Sequence, residues 1–324
     1  MENILESTNS FNDEFNYKNI LERRKLTLEE LKAYYRDLRA YEYYFNDEVK
    51  GINIRKKINP LLVELVKIDR ILNKRELDII DDKRVLTDRP KIFALTHVGR
   101  YDIEVGIEVT KESSYLFMGD PNEVYRTLDI IPLTIKGHVF CDTDHREDCH
   151  IAELTGNKIL KQNGNITIYP EGAWNITPNK IVQELFNGTV RMAKNNGAEI
   201  IPIAIENING HYYANVGKNI YIPSTSTTSY RVLSNDLRDI LATLKWSIIE
   251  NQKMESRADL RMNDDDYVNS IMKDTENGYT VSEIERTRYH NPAYFEPEDV
   301  FSYEKKLIPN KNNAFLFKGL HDFK

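Results

Sequence analysis

At 324 residues, 40% hydrophobic and 29% charged, the chain can bury a core and is long enough for two domains or one large catalytic domain with additions, so a disordered chain is excluded. A mean hydropathy of −0.56, with no apolar run near the roughly 18 residues of a spanning helix, excludes a transmembrane segment on sequence grounds. A net charge of −7 argues against general nucleic-acid binding, and two cysteines alone, Cys141 and Cys149, exclude a disulfide scaffold and fit a reducing cytoplasm.

The opening Met1-Glu2-Asn3-Ile4-Leu5-Glu6 has neither a basic nor an apolar leader region, so no secretory signal is expected. Thr27 and Glu30 form a capping box, and Leu28, Leu31, Tyr34, Tyr35 and Leu38 follow at helical spacing. Tyr34, Tyr35, Tyr41, Tyr43 and Tyr44 read as core or interface residues. Asn59-Pro60 predicts a second helix start, followed by Leu61, Leu62, Leu65, Val66, Ile68, Ile71 and Leu72. From Lys91 short apolar runs predict buried strands at Ile92–Leu95, Tyr115–Met118, Val139–Cys141, Ile166–Tyr169 and Ile200–Ile205. Helices are predicted from Arg146 to a stop at Asn163-Gly164, and from Ile181 to a stop at Asn196-Gly197. Further helices are expected near Val232–Gln252 and Asp264–Asp274. The alternation implies an α/β fold, a largely parallel central sheet flanked by helices, with helical N- and C-terminal additions. The expected division is 1–89, 90–225 and 226–324.

The sequence contains no G-x-G-x-x-G, G-x-x-x-x-G-K, G-x-S-x-G, C-x-x-C or H-E-x-x-H. Dinucleotide dehydrogenases, ordinary NTPases, serine hydrolases and common zinc proteases therefore recede. What stands out is Thr96-His97-Val98-Gly99-Arg100-Tyr101-Asp102. Five residues along one helix would turn about 500°, which places His97 and Asp102 on different faces. On a strand–loop–helix corner, however, Asp102 can fold back onto the imidazole. Its carboxylate would then fix the ring tautomer and leave the other nitrogen as a general base. Farther on, Tyr169-Pro170-Glu171-Gly172 follows a strand, at the sheet edge where open α/β folds place their sites.

With these blocks in hand, the chain resembles the glycerolipid acyltransferases, that is, the glycerol-3-phosphate and lysophosphatidate acyltransferases. The resemblance covers about residues 90–210 and rests on four ordered blocks: His97 to Asp102; Gly137-His138-Val139-Phe140-Cys141-Asp142-Thr143; Tyr169-Pro170-Glu171-Gly172; and Ile201-Pro202-Ile203. It implies one-step transfer of an acyl group from acyl-CoA or acyl carrier protein to the hydroxyl of a lysophospholipid-type acceptor. His97 and Asp102 would be the catalytic pair. Gly137, Phe140, Thr143, Pro170, Glu171, Gly172 and Pro202 would line the substrate. Thr143 stands where the family has Arg, so either Arg100 or Arg146 supplies that charge or the acceptor is not a simple phosphate monoester. No cofactor and no metal is implied.

Three other readings bear on function. Cys141, His145 and Cys149, with His150 adjacent, have metal-ligand spacing, but free cysteines are more often small buried hydrophobes. Lys50–Arg75 carries eight basic residues against Glu64 and Asp69, a local net of +6 beside −13 for the rest of the chain. Together with its apolar arc, this segment suggests an anionic membrane surface as partner and a peripheral place on the cytoplasmic face. The alternative function is a catalytically inert lipid- or acyl-carrier-binding module on the same fold.

Overall fold

In β2 (Lys91–Leu95), successive side chains point to opposite faces, and both faces are apolar: Phe93 and Leu95 enter one core, Ile92 and Ala94 the other. A strand buried on both faces must lie inside a sheet covered on both sides, and that is the architecture of this computed structural model. It describes residues 15–99, 101–119, 136–143, 145–175, 180–208, 210–252 and 266.

Among these residues the sheet has eight strands: β1 (Glu76–Asp82), β2, β3 (Tyr115–Met118), β4 (His138–Phe140), β5 (Ile166–Ile168), β6 (Glu199–Ile208), β7 (His211–Val216) and β8 (Ile220–Tyr221). Their order is β1-β7-β6-β2-β5-β3-β4, with β8 also on β6. Pairs from β6 through β2, β5 and β3 to β4 are parallel, as is β1 with β7. Only β7 and β8 run antiparallel to β6. The sheet is thus largely parallel.

The helices are α1 (Ile20–Arg23), α2 (Leu28–Phe45), α3 (Ile52–Leu72), α4 (Asp102–Thr110), α5 (Arg146–Lys161), α6 (Gly188–Asn196) and α7 (Tyr230–Gln252). Leu31, Tyr34 and Tyr35 of α2 and Val105 and Val109 of α4 cover one face of the sheet. Ala152, Ile159 and Leu160 of α5, Val190 and Met192 of α6, and Leu237 and Leu241 of α7 cover the other. The capping box before α2 forms in full.

Several sequence expectations need correction. Pro60 lies inside α3 rather than at its start, because the helix begins at Ile52 behind a left-handed Gly51 (φ 87°). Burial of Ile52, Leu62 and Val66 outweighs the one backbone hydrogen bond that Pro cannot make. Residues 181–187 are not helical; α6 starts only at Gly188. The amide of Gln183 is taken by Glu171 and that of Phe186 by the Pro170 carbonyl, so neither serves a helical turn. After α5 it is Asn163, not Gly164, that takes the left-handed conformation (φ 59°). Gly164 is needed for close approach, since a Cβ there would sit 2.7 Å from the Ile159 side chain. The strands β1 and β7 went unpredicted. The helix expected at 264–274 lies outside the described residues, residue 266 excepted.

Candidate active site

Two neighbouring strands deliver the site. β2 and β5 are parallel partners with Ala94 opposite Ile168, so the segments after them leave the same sheet edge side by side. The end of β2 is fixed by Thr96, whose hydroxyl donates to the Ile205 carbonyl (2.9 Å) and accepts from the Ile205 amide (2.8 Å). His97 comes next, at the first position free of the ladder.

The corner closes on Asp102. Its Oδ2 lies 2.8 Å from His97 Nδ1 and accepts from the amides of Val98 (2.7 Å) and Gly99 (3.1 Å). The loop between strand and helix is thereby wound around one carboxylate. Asp102 is fully buried, whereas the imidazole keeps 19% of its surface exposed. A carboxylate only accepts, so Nδ1 carries the ring proton and Nε2 is the acceptor nitrogen of the neutral ring. Asp102 also opens α4, where the helix dipole favours a negative charge.

The segment after β5 backs this pair. Tyr169-Pro170-Glu171-Gly172 forms a turn in which the Tyr169 carbonyl accepts from the Gly172 amide (3.0 Å), with Pro170 at the position its fixed φ suits. Gly172 has φ 72°, and a Cβ there would come 2.3 Å from the Phe186 ring, so both backbone and space require glycine. Tyr169 stacks on His97 with ring centres 4.3 Å apart, and its hydroxyl donates to the Asp102 carbonyl (2.9 Å). Trp174 meets His97 edge-on at 6.1 Å. The Asn175 amide donates to the His97 carbonyl (2.7 Å).

Glu171 has no exposed surface. Its two oxygens accept from the amides of His97 (3.0 Å) and Gln183 (2.8 Å). Burial pushes its carboxyl above the ordinary range, opposed by the charge of Lys245 and by those two amides. The group therefore ties three segments together around the base.

The remaining described candidates lie elsewhere. Gly137 enters β4, Phe140 ends it, Thr143 follows it and Arg146 opens α5; β4 itself stands three strand spacings from β2, or about 14 Å. Phe140 is buried 5.5 Å from the Tyr35 ring, and Gly137 (φ 88°) is closed in by Tyr115 and Arg55. Thr143 and Arg146 are exposed. Pro202 sits mid-strand in β6 opposite Ala94, its carbonyl accepting from the Gly217 amide (2.9 Å). Arg100 lies outside the described residues. The Cys141 and Cys149 thiols come within 3.4 Å of each other, while His145 and His150 are exposed. Among the described residues no group of three or more His, Cys, Asp or Glu side chains is placed to hold a metal ion.

Sequence reasoning overlooked Asn175, Gln183 and Trp174 around the base. Asn175 and Trp174 directly follow the Pro-Glu-Gly turn and could have been suspected from it. Gln183 gives no signal because it lies twelve residues beyond Glu171, in a segment without a motif; its backbone amide serves Glu171, and its side chain donates to the Trp174 carbonyl (3.2 Å) and to Asn175 Oδ1 (3.3 Å).

Comparison with protein-family models and with curated proteins gives no match. Among solved structures, the 1-acyl-sn-glycerophosphate (LPA) acyltransferase PlsC from Thermotoga maritima superposes with a TM-score of 0.50 at 13% identity, over 71% of this chain and 95% of that one. The chain shares the fold of an acyltransferase.

Proposed function

We propose that this chain is an O-acyltransferase. It moves a fatty acyl group from acyl-CoA or acyl carrier protein to a hydroxyl of a glycerolipid acceptor such as lysophosphatidate or a related lysophospholipid. The observation that carries the reading is the buried Asp102 on Nδ1 of a partly exposed His97, backed by Glu171 at the carboxyl edge of a parallel sheet. His97 Nε2 takes the acceptor's hydroxyl proton as that oxygen attacks the thioester carbonyl. The carbon–sulfur bond then breaks, and the departing thiolate receives the proton from the imidazolium. Asp102 stabilises the imidazolium in between. No side chain needs to carry the acyl group. Incubation with acyl-CoA, and separately with acyl carrier protein, across a panel of lysophospholipids tests this by thiol release. Acceptor-dependent release is expected; thiol release that no acceptor stimulates with either donor would refute it.

The same reading places the chain peripherally on a cytoplasmic membrane face, and α3 supports that placement. Ile54, Leu61, Leu65, Ile68 and Leu72 are all exposed and fall within about 60° of one another at 100° per residue. The opposite face of α3, with Leu62 and Val66, packs on Ile107 of α4, the helix that begins with Asp102. Of the eight cations in this segment, three are engaged through their guanidinium groups, and Lys56 donates to the Asn163 carbonyl (2.7 Å). Arg70 pairs with Glu108, Arg75 with Asp69 and Glu104, and Arg55 lies over the Tyr115 ring. Lys50, Lys56, Lys57, Lys67 and Lys74 are exposed, each contributing up to about 1 kcal/mol near an anionic surface. Co-sedimentation with phosphatidylserine-containing vesicles should fall with added salt and drop at least tenfold in a Lys57→Glu, Lys67→Glu protein. Equal binding to neutral vesicles would refute the electrostatic part. No described helix is long and apolar enough to cross a membrane.

A further inference from the structure

Cys141 follows the last residue of β4, and Cys149 is the fourth residue of α5. The intervening turn is braced by charge. The Asp142 amide donates to the Asp148 carboxylate (2.6 Å), Asp148 forms a buried two-pronged pair with Arg39, and Asp142 pairs with Arg36 (2.7 Å). Both cysteine backbones are also anchored, Cys141 through its amide to the Met118 carbonyl (2.9 Å) and Cys149 to that of His145 (3.0 Å). These contacts hold the two thiols 3.4 Å apart, with both side chains half-buried and within reach of a small solute.

We propose that Cys141 and Cys149 form a peroxide-reactive dithiol that closes to a reversible disulfide. The geometry assigns different roles to the two sulfurs. The Cys141 thiol donates to Cys149, and that hydrogen bond lowers the Cys149 pKa; the same bond raises that of Cys141. Cys149 also stands in the first turn of α5, where a helix favours a thiolate, although burial, the carboxylates of Asp148 and Asp142, and the Asp142 carbonyl 3.5 Å from its sulfur oppose it. Cys149 is therefore the attacking sulfur and Cys141 the resolving one.

The chemistry balances with hydrogen peroxide as oxidant. The Cys149 thiolate forms an S–O bond as the O–O bond breaks, and the hydroxide released takes up the proton that Cys149 had lost. Cys141 then attacks the sulfenic sulfur; the S–S bond forms while the sulfenic hydroxyl leaves with the Cys141 proton as water. Two thiols give up two electrons and the peroxide becomes two waters. Closing needs the sulfurs to approach by about 1.4 Å, a side-chain rotation rather than a rearrangement of the turn. The product would link the exit of β4 to the start of α5.

Because the chain contains only these two cysteines, thiol counting is unambiguous. The reduced full-length protein is treated with a few equivalents of hydrogen peroxide, alkylated with iodoacetamide and analysed by mass spectrometry. Both thiols should disappear together, giving a cross-linked 141–149 peptide 2 Da lighter than the reduced pair (the mass of the two hydrogens lost), and dithiothreitol should restore them. Cys141→Ser should stop at a dimedone-reactive sulfenic acid, whereas Cys149→Ser should consume peroxide at least tenfold more slowly. Two thiols still alkylated in the treated wild type, or cross-links only between molecules, would overturn the proposal whatever the variants do. Equal peroxide rates for wild type and a folded Cys149→Ser protein would overturn the assignment of roles. None of these readouts depends on acyl transfer.

Discussion

His97→Ala is expected to lower kcat for acyl transfer by 10²–10⁴, the range associated with losing a positioned general base. Removal of the imidazole takes away the proton acceptor and leaves Asp102 buried with two backbone donors, from Val98 and Gly99. The corner should therefore keep its shape, and the acyl-donor KM should change little, because nothing in the pair is needed until the hydroxyl attacks. Steady-state thiol release by a His97→Ala protein with wild-type circular dichroism is the check. Turnover within threefold of wild type would remove His97 from the mechanism.

Glu171→Ala should be the most damaging single change to stability around the site. It strands the buried amides of His97 and Gln183, and an unsatisfied buried donor costs about 1–3 kcal/mol, so a loss of about 2–6 kcal/mol is expected in urea denaturation. Activity should fall as well, because the His97 backbone loses the acceptor that sets its position. Glu171→Gln separates the two effects: its amide oxygen can accept from one of the two N–H groups, while its NH₂ faces the other. Partial recovery of stability is therefore expected with Gln and none with Ala. Indistinguishable unfolding midpoints for wild type and Glu171→Ala would show that the two amides find other acceptors.

The parts of the fold legible in the sequence are those where both faces of a strand are apolar. Lys91–Leu95, Tyr115–Met118 and the start of β6 stand out because a strand covered on both sides must be hydrophobic nearly throughout. β1 escaped notice because its sequence, Glu-Leu-Asp-Ile-Ile-Asp-Asp, turns only Leu77, Ile79 and Ile80 partly inward. β7 escaped because His211, Tyr213 and Asn215 interrupt its apolar residues. The meeting of His97 and Asp102 could be anticipated, since both lie on one short corner. The support given by Gln183 could not, because nothing in the sequence ties that residue to the turn after β5, which it meets through both its backbone amide and its side chain. The basic segment illustrates the reverse problem. Its eight cations look equivalent in sequence, yet Arg70 is buried on Glu108 and Lys67 is exposed, a difference set only by helix phase.

The position of β1 in the sheet has one more effect. Among the described residues it stands at one end of the strand order, with β7 as its only neighbour, so the backbone groups along its other side have no strand to pair with. Such a margin invites the strands of other molecules. Here Glu76, Asp78, Asp81 and Asp82 place four carboxylates in seven residues. A second copy adding the same strand would bring carboxylate against carboxylate, and like charges directly opposite are destabilising. The acidity that hides β1 from a hydrophobicity-based reading thus also disfavours a second copy along this margin, an effect reduced at Asp81 and Asp82 by their pairing with Lys83 and Arg84 and at Glu76 and Asp78 by their contacts with His211.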